Sequence, residues 1–349
     1  MSTRQQVTHS LRETVRAGES WMLDSRKASY GVAVLRIGFG AILAVQLAVT
    51  WPDRHLAWGA GRSFAQGRVD TDDFPAALDA LFSGSSPGVL FDLQYLLLLA
   101  LAVALMLGWR ARLVVPLVLV GYVALVRTNP FIGDGGMQLM RIVLVYLLIA
   151  DTSGRWSIDA RRRERRHPGE SRARLGWPGT LLHNTAVLLI AFQIFVVYVA
   201  SAMYKIQGGL WQHGSAIYYV FQLDEFSTWP EVTAWLSGSG TLITVLTYSA
   251  VFVQLFFPFL LLRRGTRVVA LVAITGMHLG IGLLMGLMYF SLTMIAIDAI
   301  FVRDVTYVTV STRVARWWRE RRARRRAGIS PPGAASAAEE HRTTVPADA

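Results

Sequence analysis

The chain has no cysteine, which excludes structural disulfides, cysteine-ligated metals, iron–sulfur clusters and a thiol nucleophile. Charge is scarce: 17 % of residues are charged, against ~25 % in an average soluble domain. Lysine is almost missing, since only Lys27 and Lys205 occur among the 35 Lys and Arg residues. A phosphate loop of the GxxxxGK[ST] type is absent, as is a dinucleotide fingerprint. What fills the space is apolar. The hydrophobic share is 53 % and the mean hydropathy is +0.39.

The apolar residues fall in long runs with almost no charge. A run of ~20 residues at ~1.5 Å each covers the ~30 Å hydrocarbon core of a bilayer. The expected spans are 30–51, 88–107, 113–126, 138–150, 183–203, 240–262, 268–286 and 289–302. The run 30–51 exceeds the length of a signal-peptide core, so it reads as an uncleaved first span. Spans 113–126, 138–150 and 289–302 are short, as in tilted or partly buried helices. The fold class is therefore all-α: a polytopic helical membrane protein with about eight transmembrane spans in one bundle and no soluble domain.

The net charge of +12 is concentrated between these runs. Arginine-rich segments at the N-terminus, 108–112, 151–178, 263–267 and 303–326 alternate with acidic or neutral ones at 52–87, 127–137, 204–239 and 286–289. The positive-inside rule then gives a multi-pass protein of the cell membrane with both termini cytoplasmic. The chain divides into a cytoplasmic basic N-terminus (1–29), a transmembrane domain (30–302), a basic juxtamembrane segment (303–326) and a disordered tail (327–349). The acidic loop 52–87 holds Asp53, Asp70, Asp72, Asp73 and Asp79, and its 74–82 stretch reads as a short interfacial helix. RVARWWRERRARRR (313–326) is expected to lie on anionic headgroups, so the partner is the lipid bilayer and not nucleic acid.

Polar groups inside spans cost several kcal/mol unless paired or hydrated, so each needs a reason. Arg36 and Asp298 sit at similar depth, and an ion pair between them is expected. His278, mid-span, reads as hydrogen-bonded to a neighbouring helix or as a proton relay. Gln193, Ser201 and Lys205 form one stripe down a single span. Lys205, at the mouth of that span, has two readings. It snorkels to the interface, or its amine does chemistry that arginine cannot, because arginine stays protonated. The topology gathers Asn129, Asp134, Arg141, Tyr204, Lys205, Trp211, His213 and Tyr218 at the extracytoplasmic face. His213 is the one strong ligand type there, with no second histidine at metal spacing, so no metal site is expected. Such a site suits an amphipathic or apolar partner: a quinone, a lipid or a peptide.

YVASAMYKIQGGLWQHGSAIYY (198–219) resembles the central motif of the horizontally transferred transmembrane (HTTM) domain family, the bacterial relatives of vitamin K-dependent gamma-carboxylase. TNPFIGDGGMQLMR (128–141) looks like its second signature and HLGIGLLMGLMYFSLTMIAIDAIF (278–301) like its third. Arg36 in the first span also fits. The resemblance implies that Lys205 is the base that deprotonates a reduced quinone. In the carboxylases that quinol reacts with oxygen, and the strong base so formed drives glutamate carboxylation. The segment matching a functional histidine of the carboxylases reads GDGGMQ here (133–138). Another branch of the family matures a secreted antimicrobial peptide with partner subunits, and this compact chain is nearer that branch in size. Three functions follow: a quinol-using enzyme, a maturation or export factor for a secreted peptide, and a non-catalytic scaffold or transporter.

Overall fold

The computed structural model describes residues 3–59, 80–82, 88–166, 168 and 176–326. The tail 327–349 and Asp70, Asp72, Asp73 and Asp79 lie outside the described residues. Of the interfacial helix expected at 74–82, only the 3₁₀ turn Ala80–Phe82 is described. Among the described residues there are helices and no strand, so the protein is an all-α, polytopic membrane protein.

The helices are α1 (Thr3–Leu23), α2 (Ser29–Val49), α3 (Arg54–Ala57), α4 (Gly88–Leu107), α5 (Ala111–Thr128), α6 (Gly135–Leu147), α7 (Ile158–Arg166) and α8 (Gly176–Ile206). They continue as α9 (Gly209–Gln212), α10 (Ala216–Phe221), α11 (Pro230–Ser237), α12 (Gly240–Leu260), α13 (Arg264–Leu284), α14 (Met288–Asp298) and α15 (Asp304–Arg326). The chain divides into two units after Val302, and α15 is the described element of the second.

Six helices, α2, α4, α5, α8, α12 and α13, are long and apolar enough to cross a membrane. The shorter α6 and α14 are apolar too. At 13 residues α6 rises ~20 Å, less than the ~30 Å core, so it cannot cross alone at full width. These two helices pack on each other inside the bundle. The basic N-terminus is helical, and α1 packs on α8. The segment after span five is not an open loop but the short helices α9, α10 and α11.

Burial follows the helical period. Leu35, Phe39, Leu43 and Leu47 recur every fourth residue of α2 and are fully buried. They meet α4, whose buried face carries Tyr95, Leu98, Ala102 and Leu105. Lipid tails are as apolar as leucine, so contact area alone does not join helices in a bilayer; close backbone approach does. Gly40 supplies that approach. A Cβ there would lie 2.7 Å from the Ala102 carbonyl oxygen and 2.7 Å from Met106 Cα.

The basic turns collect at one end. Arg36 is fully buried, and its guanidinium donates to the carbonyls of Leu105 (2.6 Å), Met106 (2.7 Å) and Trp156 (2.7 Å). The first two close α4, whose last carbonyls lack helical partners and carry the negative end of its dipole. The expected Arg36–Asp298 ion pair is therefore not formed. Arg36 finds its acceptors at the α4 terminus, while Asp298 accepts from Tyr198. Gly108, at φ +66, makes room for the guanidinium, since a Cβ would stand 2.7 Å from Arg36 Nη1. The carboxylate of Asp159 accepts from the backbone N–H groups of Arg110 and Ala111, both at 3.0 Å, and so caps α5 from another element.

The start of α8 ties the same end together. Asn184 donates to the carbonyls of Trp21, Met22 and Ser25 and accepts from Lys27 N–H at 2.8 Å. His183 Nδ1 accepts from Asp151 N–H at 3.0 Å. That nitrogen therefore carries no hydrogen, so Nε2–H donates to the Lys27 carbonyl at 2.8 Å. Arg26 pairs with Asp151 beside it.

Candidate functional site

The opposite end holds Lys205, in the last turn of α8. Its helix runs 31 residues, longer than the apolar run suggests, so the lysine belongs to the helix and not to the loop beyond it. Ser201, one turn earlier, lies under the amine. Lys205 Nζ donates to Ser201 Oγ at 2.5 Å and to Gln254 Oε1 of α12 at 2.8 Å. Both acceptors are neutral. Among the described residues no carboxylate pairs with Lys205.

Trp211 closes the cluster, with Lys205 Nζ 5.4 Å from the centroid of its ring system. The turn after α8 places it. Tyr248 of α12 donates to the Gln212 carbonyl at 2.8 Å and holds α9 down. Thr247 accepts from Ile217 N–H at 3.4 Å and does the same for α10.

Deeper in the bundle, three polar side chains meet at Tyr198, two turns below Lys205 on α8. The Tyr198 hydroxyl donates to Asp298 Oδ2 at 2.6 Å and lies 3.0 Å from His278 Nε2. All three residues are buried. The tyrosine ring stands edge-on to Phe257, with centroids 5.0 Å apart.

The remaining expected residues are dispersed. Asn129 is fully buried, where it donates to the Ala57 carbonyl at 2.8 Å and accepts from Phe131 N–H. Asp134 caps α6 by accepting from Met137 N–H at 2.7 Å. Both bind backbone, which is how an Asn-Pro and Asp-Gly turn satisfies itself. Gln193 accepts from the Tyr146 hydroxyl of α6 at 3.4 Å, three turns from Lys205. Arg141 Nε is buried without a hydrogen-bond partner. Tyr204 is 81 % exposed and turns outward. His213 is exposed, and Tyr218 stacks edge-on with Tyr219. Of the expected set, the structure gathers Lys205, Ser201 and Trp211 in one cluster and His278 and Asp298 in another.

Gln254 and Tyr198 are the residues that sequence reasoning missed. Gln254 is an amide inside an apolar run, the same signal that singled out Gln193. Tyr198 sits seven residues before Lys205, on the same helical face.

These residues fall within a profile match. The HTTM domain matches residues 26–304. The chain belongs to the HTTM domain family. No curated protein and no solved structure matches it. The matched HTTM stretch takes in α2 to α14 and both polar clusters, while α1 lies before it. In this HTTM domain the GDGGMQ segment (133–138) starts α6 through the Asp134 cap.

Proposed function

We propose that this HTTM protein is a membrane enzyme in which Lys205 takes a proton from a quinol at the extracytoplasmic end of the bundle. The observation that carries this reading is the pair of neutral acceptors on Nζ. An ammonium can donate to both Ser201 and Gln254. A free amine can donate to Gln254 and accept from the serine hydroxyl. The same cradle thus serves both protonation states, as a residue that gains and returns a proton requires. A snorkelling lysine needs no such partners, because it reaches water.

A reduced quinone fits the donor set. Its ring needs aromatic or apolar walls, and its hydroxyl needs a base within hydrogen-bond reach. Trp211 supplies the wall beside the amine, and Met203, Ile206 and Leu210 are exposed apolar residues on either side of Lys205 in the chain. The step is a proton transfer alone: the quinol O–H breaks, Nζ–H forms, and the products are quinolate and ammonium. Ser201 and Gln254 orient the amine throughout. The proposal stops there, since the GDGGMQ segment offers no histidine for the later oxygen chemistry of the carboxylases.

The test is Lys205→Arg, which keeps the charge and the reach but has no accessible free-base form. The variant should match wild type in expression and melting temperature and fail to rescue a deletion strain. Full rescue by the arginine variant would overturn the reading.

A further inference from the structure

The triad at Tyr198 does no work in the chemistry proposed for Lys205. Its members come from three helices, α8, α13 and α14, and all are at most 3 % exposed. Burying a carboxylate, an imidazole and a phenol together inside a membrane bundle is costly, and structural cohesion is available from far simpler pairs. The hydrogen bonds also have a property that a static brace does not need. At each end one atom is buried with no hydrogen-bond partner: His278 Nδ1 and Asp298 Oδ1. Between these atoms the bonds run continuously, from His278 Nε2 to the Tyr198 hydroxyl at 3.0 Å and on to Asp298 Oδ2 at 2.6 Å.

We propose that His278, Tyr198 and Asp298 form an intramembrane proton relay, with Tyr198 as its bridge and Asp298 as its store. Two arrangements of hydrogen satisfy the same heavy-atom geometry. In one, His278 Nε2–H donates to the tyrosine oxygen, the tyrosine O–H donates to the Asp298 carboxylate, and Nδ1 is bare. In the other, Asp298 carries a proton on Oδ2 and donates to the tyrosine oxygen. The tyrosine then donates to Nε2, and the histidine hydrogen sits on Nδ1.

One proton arriving at Nδ1 converts the first arrangement into the second. The Nε2 proton moves to the tyrosine oxygen, and the tyrosine proton moves to Oδ2. The imidazole stays neutral and changes tautomer, and the carboxylate becomes a carboxylic acid. One proton enters at Nδ1 from water, one is stored on Oδ2, and the transfers between these two atoms use the three groups alone. Lys205 is the nearest cation along α8, two turns above Tyr198, and the rings of Phe257 and Phe290 flank the tyrosine and the histidine. The relay stands whether or not Lys205 acts as a base.

The test needs no activity assay and no variant for its main arm. Wild-type protein in lipid nanodiscs, with ¹⁵N-labelled histidine, is titrated while infrared difference spectra follow the protonated carboxyl band. Asp298→Asn identifies that band by its loss, and His278→Gln identifies the histidine signal. The relay requires the His278 tautomer to switch from Nε2–H to Nδ1–H at the pH where the Asp298 band appears. In Tyr198→Phe, which keeps the ring and its contact with Phe257, the two events should separate. A His278 tautomer that stays fixed while Asp298 titrates would overturn the relay. So would a carboxyl band that never changes, or a switch that persists without the tyrosine hydroxyl.

Discussion

Gly108 and Arg36 depend on each other, and a substitution at either one shows it. Gly108→Ala must hold an L-residue at φ +66, which costs about 1–2 kcal/mol before any clash. Its methyl would then press on the Arg36 guanidinium and loosen three carbonyl contacts. Thermal unfolding in detergent should show a drop larger than the backbone cost alone. Arg36→Met should be worse, because it removes the guanidinium donor from the carbonyls of Met106 and Trp156, at about 1–3 kcal/mol for each group not rehydrated, while the Leu105 carbonyl keeps the N–H of Gly108. Arg36 and Asp298 bind different partners, so Arg36→Met and Asp298→Asn should be additive to within about 0.5 kcal/mol in a double-mutant cycle. A large coupling energy would contradict the assignment of their partners. At this scale the sequence marks which residues need a partner and not which partner they find. A buried arginine announces itself within a span, but the helix end it caps comes from α4, 69 positions away. Asn129 and Asp134 look like site residues because an Asn-Pro and Asp-Gly turn has the same composition as a polar pocket. In the structure their side chains bind backbone groups.

The helices themselves were legible because each is a long apolar run broken by arginine, glycine or proline. The boundaries moved where a run is extended by residues that are not apolar. α8 begins at Gly176, whose φ of +55 breaks the chain before Pro178 enters the first turn. It ends past Lys205, since lysine is a good helix former at a C-terminus. α1 was missed because its polar, basic composition gives no apolar stripe to read. Its C-terminal end is held to the bundle by one amide, Asn184, through the carbonyls of Trp21, Met22 and Ser25. Asn184→Ala should therefore free α1 while leaving the spans intact. Limited trypsin digestion should cut at Arg12 and Arg16 several-fold faster, with the melting temperature of the bundle changed little. Unchanged cleavage would mean that α1 is held by packing on α8 instead.

For the whole molecule, the charge pattern makes a claim about orientation that labelling can check. The chain has no cysteine, so introduced thiols report without background. Glu225→Cys, on the exposed segment after α10, should react with an impermeant maleimide on intact cells. Gly18→Cys and Gly265→Cys, both in open space, should react only after lysis. The reverse pattern would invert the topology. Hydrogen bonds join the start of α2, the α4–α5 turn, the segment at Trp156 and the start of α8 at one end of the bundle. The Lys205 cradle lies at the other end of α8, where the proposed chemistry would occur. The most direct measurement is made on purified protein in lipid nanodiscs, mixed without oxygen with an excess of a reduced naphthoquinone. Quinolate absorbance should rise above the protein-free control by up to one equivalent per chain, and it should stay at the control level with Lys205→Arg. Equal quinolate in the arginine variant, or none with the wild type, would contradict Lys205 as the base.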